Sequence, residues 1–279
     1  MKTTLLTLAL AFVIAPALQA DVLIYSNDFS GTKPWSFDSI DDPSNQLSGT
    51  GELVYNGADV NTKAWVTKDI DGSTVFASET GILELKAKFD LSNYVTTNSD
   101  FSGATFVEIA TPGTKASFTG GCVFKGSLNG FNSPGEFRFG HYTAIRFWAT
   151  SAGQGNTPSH FIGNKPAFPL VYDLDALIYV ASSGGTGDWQ ITAISDWTGP
   201  VDSVGTIGTE SLSTTYTRVD TGFSGLQSLT GLRVGYADAR LNFGAGDSVA
   251  IDSVELWLVP EPAIGLAAFG MLLALLRRR

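Results

Sequence analysis

Cysteine occurs once in 279 residues and histidine twice. One cysteine closes no internal disulfide, which excludes a disulfide-stapled secreted scaffold and a Cys-rich zinc protein. Cys122 sits in the apolar stretch Cys122-Val123-Phe124 with no His–Asn or His–Asp context, so a buried thiol is expected rather than a nucleophile. His141 and His160 form no H-x-H or H-E-x-x-H spacing, which leaves a zinc or copper site unsupported. Charge is scarce too, at 16% of residues, and biased to one sign, with 27 acidic against 17 basic side chains and a net charge of −10. A chain of that sign lacks the basic face that phosphates require, so no nucleic-acid partner is expected. There is no G-x-S-x-G nucleophile elbow, and Gly184-Gly185-Thr186-Gly187 lacks the lysine and helix of a phosphate loop, reading instead as a hairpin turn. What is plentiful, 43% hydrophobic and 11% aromatic residues, is too apolar for a disordered tail.

The two ends read as addresses. Lys2, an apolar run from Leu5 to Ala15 interrupted by Thr7, Pro16, and small residues at Ala17 and Ala20 follow the charged, apolar, small-residue order of a secretory signal helix. Signal peptidase is expected to cut after Ala20, leaving Asp21 as the new terminus. Cutting after Ala17 also satisfies the A-x-A rule. At the other end Pro260-Glu261-Pro262 precedes fourteen apolar or Gly residues, 263–276, and then Arg277, Arg278 and Arg279. A fourteen-residue helix is about 21 Å long at about 1.5 Å per residue, short of a hydrocarbon core of roughly 30 Å. Arginine snorkelling closes part of that gap, and the three arginines favour the cytoplasmic side. So brief a transmembrane helix suits a transient stop better than a permanent anchor.

Residues 259–279 closely resemble the PEP-CTERM sorting signal of Gram-negative bacteria, on the Pro-Glu-Pro motif, the hydrophobic segment and the basic end. The resemblance implies an exosortase as processing partner, a transient inner-membrane intermediate, and delivery to the outer cell surface or the extracellular matrix.

Removing Lys2 and the terminal arginines from the basic count leaves 13 against 27 acids between Asp21 and Pro262, a net charge of −14. That suits a surface protein, and it disfavours docking on anionic lipid unless a cation bridges. Within this region helical periodicity is almost absent, and short period-two runs recur instead. The clearest is 82–90, where Ile82, Glu84, Lys86, Lys88 and Asp90 alternate with Leu83, Leu85, Ala87 and Phe89. Further strands are expected at 22–29, 51–56, 63–70, 105–111, 121–125, 136–149, 170–182, 188–195, 216–223, 230–236 and 248–259, with loops at 91–103, 151–169 and 198–215. A dozen strands without solenoid or propeller repeat predict an all-β fold, an antiparallel β-sandwich of jelly-roll type. No linker composition divides it, so one domain over 21–258 is expected between residues 1–20 and 259–279.

The opening Tyr25-Ser26-Asn27-Asp28-Phe29-Ser30-Gly31 and the closing Ala250-Ile251-Asp252-Ser253-Val254-Glu255-Leu256 resemble the first and last strands of bacterial secreted jelly rolls, including concanavalin-A-like and carbohydrate-binding modules. The resemblance implies that the terminal strands lie side by side. On a regular strand Asp252 shares a face with Val254, Leu256 and Leu258, and Asp28 follows Val22, Ile24 and Ser26. A carboxylate on an apolar face needs a partner. Two readings stay open: each Asp caps backbone N–H groups in a turn or bulge, or both approach one structural Ca2+, whose hard-oxygen preference they meet.

Glycoside hydrolysis needs two carboxylates about 5–10 Å apart. The E-x-D-x-x-E pattern of laminarinase-like glucanases is missing. Glu79 and Glu84 fall on opposite strand faces, and Asp173 with Asp175 reads as a solvated face. Most of the six tryptophans belong in a core of this size. Core is the favoured place for any one of them; Trp189 and Trp197, which flank a strand near loops, are the best candidates for exposure and for stacking on sugar, with His160 and Asn164 on the polar rim of 151–169. The function expected is non-catalytic: polysaccharide binding, adhesion or matrix structure. A secreted glycan-cleaving enzyme is the alternative.

Overall fold

The alternation at 82–90 is realised as a ten-residue strand, Gly81–Asp90, in which every second side chain is buried. Leu83, Leu85 and Phe89 are fully covered, while Glu84, Lys86 and Lys88 turn to the other side. Each such apolar side chain removed from water contributes about 1.5–3 kcal/mol, which is why a strand with this spacing settles with one face inward. In the computed structural model the residues described are 20–42, 44–55, 63–90, 92, 102–111, 122–130, 136–142, 159–164, 171–183, 188–199, 209–219, 223–240 and 248–260. They comprise fifteen strands: β1 (Val22–Asn27), β2 (Ser39–Asp41), β3 (Leu47–Ser48), β4 (Leu53–Tyr55), β5 (Lys63–Asp69), β6 (Gly81–Asp90), β7 (Ser102–Ala110), β8 (Cys122–Gly130), β9 (Glu136–Tyr142), β10 (Ser159–Asn164), β11 (Val171–Ser182), β12 (Asp188–Thr198), β13 (Thr209–Val219), β14 (Gly231–Arg240) and β15 (Val249–Val259). A helical turn, Gly72–Val75, is capped by the Asp71 carboxylate.

The strands make two antiparallel sheets. An eight-stranded sheet runs β13-β12-β11-β6-β15-β4-β3 with β1 added beside β15, and a seven-stranded sheet runs β10-β9-β8-β7-β14-β5-β2. One hydrophobic cluster, with Leu85, Phe89, Ile178 and Leu256 from the first sheet and Val66, Val107, Ile109 and Val234 from the second, lies between them. This is the expected β-sandwich. The terminal strands β1 and β15 are paired, as the resemblance implied.

Several boundaries need correction. β10 lies within the expected loop 151–169, β13 begins seven residues before the expected strand, and β2 and β3 were not foreseen. All four stand at the ends of their sheets. Among the described residues no helix is long and apolar enough to cross a membrane. The signal helix, Glu261, Pro262, the hydrophobic helix over 263–276 and Arg277, Arg278 and Arg279 lie outside the described residues. Ala20 and Asp21 are exposed immediately ahead of β1, and Pro260 directly follows β15.

Candidate functional site

Each sheet has one face in the shared core and one turned away from it. On the turned-away face of the seven-stranded sheet, the pairing registers align a polar row across five strands: Ser39 opposite Thr67, Thr67 opposite Arg233, Arg233 opposite Glu108, and Glu108 opposite Lys125. Arg233 Nη1 donates to Glu108 Oε1 at 2.7 Å, and Lys125 Nζ sits 3.3 Å from Glu108 Oε2. All three side chains are at most 9% exposed. Burying charges this deeply is costly unless they are paired and hydrogen-bonded, and here one carboxylate serves two cations.

The next row along the same strands carries aromatic surface. Trp65 and Phe106 form a small cluster separate from the main core. Gly235 lies between them in register, opposite both. A Cβ there would come within 2.5 Å of Trp65 Cα, so only glycine lets the two strands and the indole approach in this way. Lys125 Nζ stands 3.7 Å from the centroid of the Phe106 ring, a cation–π contact that adds to its pairing with Glu108.

A cleft of about 330 Å3 opens on this face, walled by Ser39, Asp41, Trp65, Thr67, Asp69 and Arg233 among others. That volume falls at the lower end of the roughly 300–1,000 Å3 typical of small-ligand sites. Asp41 and Asp69 are exposed at its rim, whereas Trp65 and Arg233 are buried in its wall. It therefore offers carboxylate acceptors and hydroxyl groups, with only the edges of the Arg233 guanidinium and the Trp65 indole, 7% and 6% exposed, reaching the same small space.

A larger cleft of about 500 Å3 is lined by Asn27, Asp28, Trp35, Ser36, Ser253 and Glu255 among others. Phe29, Trp35 and Ser36 there have φ of 53°, 53° and 65°, a region costly for residues with a Cβ. Its polar groups are largely committed to one another. Asn27 Oδ1 accepts from the Phe29 amide and its Nδ2 donates to Tyr25 Oη and the Trp35 carbonyl. Asp28 Oδ1 accepts from the Ser30 amide at 3.0 Å, and bonding to Ser30 holds its carboxyl below the usual range.

The structure corrects the face assigned to Asp252. β15 carries a bulge between Ile251 and Ser253, so Ile251, Val254 and Leu256 point into the core and Asp252 is half-buried beside it. Its Oδ2 lies 3.2 Å from Lys88 Nζ. It joins Glu52 and Asp90, one carboxylate oxygen of each lying within 4.8 Å of the others. Burial first, then the charges of Asp252 and Asp90, raise the Glu52 carboxyl above its ordinary pKa. Oxygen donors of this kind suit a hard divalent cation, although Lys88 already engages Asp252. The structure thus groups Asp252 with two acids that the sequence did not single out, and sets Asp28 in a turn with Ser30.

Trp189 and Trp197 are 8% and 0% exposed, so the two best candidates for a surface tryptophan both belong to the core. Both share the parity of Ile191 and Ala193 on β12 and point inward with them. Trp189 meets Phe223 edge-on at 5.5 Å. Trp197 stacks on Phe89 at 5.7 Å and donates from Nε1 to Ser195 Oγ. His160 and Asn164 lie on β10 opposite Phe139 and Glu136, and their side chains are outside the described ones. Glu108, Lys125 and Arg233 belong to no motif in the sequence. Glu108 and Lys125 are the lone charges of their strands and Arg233 stands between Leu232 and Val234, a detectable signal, but only the register shows that they meet.

No family model matches the chain, and no curated protein matches it. Among solved structures it is similar to the CBM2 module of the evolved Dit of Lactobacillus casei BL23 phage J-1, at 14% identity and a TM-score of 0.47, over 86% of this chain and 97% of that one. It is similar to an endo-1,3-β-glucanase from Streptomyces sioyaensis at 12% identity and a TM-score of 0.48, over 87% and 98%. It is also similar to winged bean acidic lectin complexed with methyl-α-D-galactose, at 15% identity and a TM-score of 0.45, over 84% and 97%.

Proposed function

We propose that this protein binds polysaccharide without cleaving it, through the cleft on the turned-away face of the seven-stranded sheet, and that it does so as an exported cell-surface or matrix protein. The observation that carries the reading is Arg233: a guanidinium buried in a cleft wall, oriented by Glu108 and set near Trp65. A guanidinium edge fixed beside an indole edge, with hydroxyl and carboxylate groups at the rim, suits the hydroxyl groups of a sugar, and a site held rigid before binding loses less entropy on capture. Support for a non-catalytic role comes from Glu108, whose two oxygens are taken by Arg233 and Lys125. A carboxylate so engaged is poorly placed to exchange a proton with substrate. The terminal motifs support export, with signal peptidase and an exosortase as processing partners.

Screening the purified chain on a glycan array, with hydrolysis assays on the same glycans, tests the reading. Retention without product is expected, and Thr67→Ala, at a half-buried position in the cleft wall, is expected to weaken retention while leaving the melting temperature within a few degrees. Product formation would overturn the non-catalytic assignment. An empty array would overturn polysaccharide binding itself.

A further inference from the structure

We infer that the cleft selects uncharged glycans and rejects polyuronates and sulfated chains; this rests on the polysaccharide-binding reading. The argument is the disposition of charge around the cleft. Its two rim acids, Asp41 and Asp69, are exposed and line it directly. The basic groups near them each lie against a carboxylate, three cations on two acids. Arg233 and Lys125 share Glu108, and Lys68 lies 2.8 Å from Asp38 Oδ2. Asp38 also accepts the Asp69 amide, and Lys68 with that amide holds the Asp38 carboxyl below its usual range. An approaching sugar carboxylate or sulfate therefore meets two like charges at the mouth, and behind them a wall whose two cations share one carboxylate and so keep a single positive charge. A neutral sugar meets the same groups as hydrogen-bond partners: its hydroxyls donate to Asp41 and Asp69 and accept from Arg233. The net charge of −14 between Asp21 and Pro262 repels polyanions at longer range as well.

The discriminating measurement is calorimetric titration of the full chain with a soluble neutral glucan and with polygalacturonate of similar length, at low ionic strength and with chelator to remove bridging cations. The neutral glucan is expected to bind at least about tenfold more tightly, the scale of one like-charge contact in partly solvated surroundings. Raising salt to 0.15 M, where the Debye length is about 8 Å, is expected to narrow the difference. The double variant Asp41→Asn/Asp69→Asn is expected to narrow it further by improving polygalacturonate binding. Equal or preferential binding of polygalacturonate by the unaltered chain would overturn the selectivity and leave polysaccharide binding standing, as would a difference that the double variant does not change. Binding of neither polymer would remove the underlying reading and the selectivity with it.

Discussion

The two turned-away faces of the sandwich use the same kinds of residue and place them in opposite surroundings. On the eight-stranded sheet Lys86 lies 3.0 Å from Glu84 and 3.9 Å from Asp175, and its side chain is 41% exposed. On the seven-stranded sheet Glu108, Lys125 and Arg233 form a network of similar size at 9% exposure or less. Water screens the first set, so each pair there contributes roughly 0–1 kcal/mol. The second set has given up its hydration and depends on mutual contact. Charge on the outside of a sandwich therefore means two things: solubility where it is wet, and a preorganised polar wall where it is dry.

Breaking the dry network gives the largest expected effect. Glu108→Ala leaves two cations in the wall without the carboxylate between them, and a loss of about 3–5 kcal/mol is expected, read by urea unfolding. A loss below about 1 kcal/mol would mean that water reaches the network and that the contrast between the faces is false. The matching change on the wet face is smaller. Lys86→Ala removes the partner of both Glu84 and Asp175, and a change within about 1 kcal/mol is expected by the same measurement, shrinking further in salt.

The same contrast separates what the sequence discloses from what it hides. Strands in the middle of a sheet have one face in the core, and the requirement to bury it writes an alternation that can be read, as in β6 with Leu83, Leu85, Ala87 and Phe89. β13 lies at the end of its sheet, and its first half, Thr209 to Ser213, carries Leu212 as its one apolar residue, so no apolar alternation marks it as strand. β2 and β3 are three and two residues long, too short for any period. The candidate site was less legible still. Parity on β12 places Trp189 and Trp197 with Ile191, whereas nearness to loops, taken alone, suggests exposure. The row from Ser39 to Lys125 draws on residues up to 194 positions apart in sequence, from Ser39 to Arg233, and its assembly follows from strand order, which no local pattern encodes.

The smallest expected effect concerns the acid group at the β15 bulge, which lies between the two regimes because its members are half-buried. Burial and the charges of Asp252 and Asp90 raise the folded-state pKa of Glu52. A raised carboxyl favours its protonated form on folding, so its contribution to stability is fully present below the unfolded pKa of about 4.3 and is lost as pH rises through the folded value. At pH 7 the ionised Glu52 therefore opposes folding. Glu52→Gln removes that charge while keeping the shape of the side chain, so a gain of under about 1 kcal/mol is expected at pH 7. At pH 4, where the wild-type group is already largely protonated, the gain is expected to shrink. Thermal melts of both proteins at the two pH values in chelator give the comparison. A loss of stability at pH 7 instead would show that Glu52 supplies an attractive contact exceeding its repulsion from Asp90 and Asp252, and that this corner belongs with the dry network rather than with the wet face.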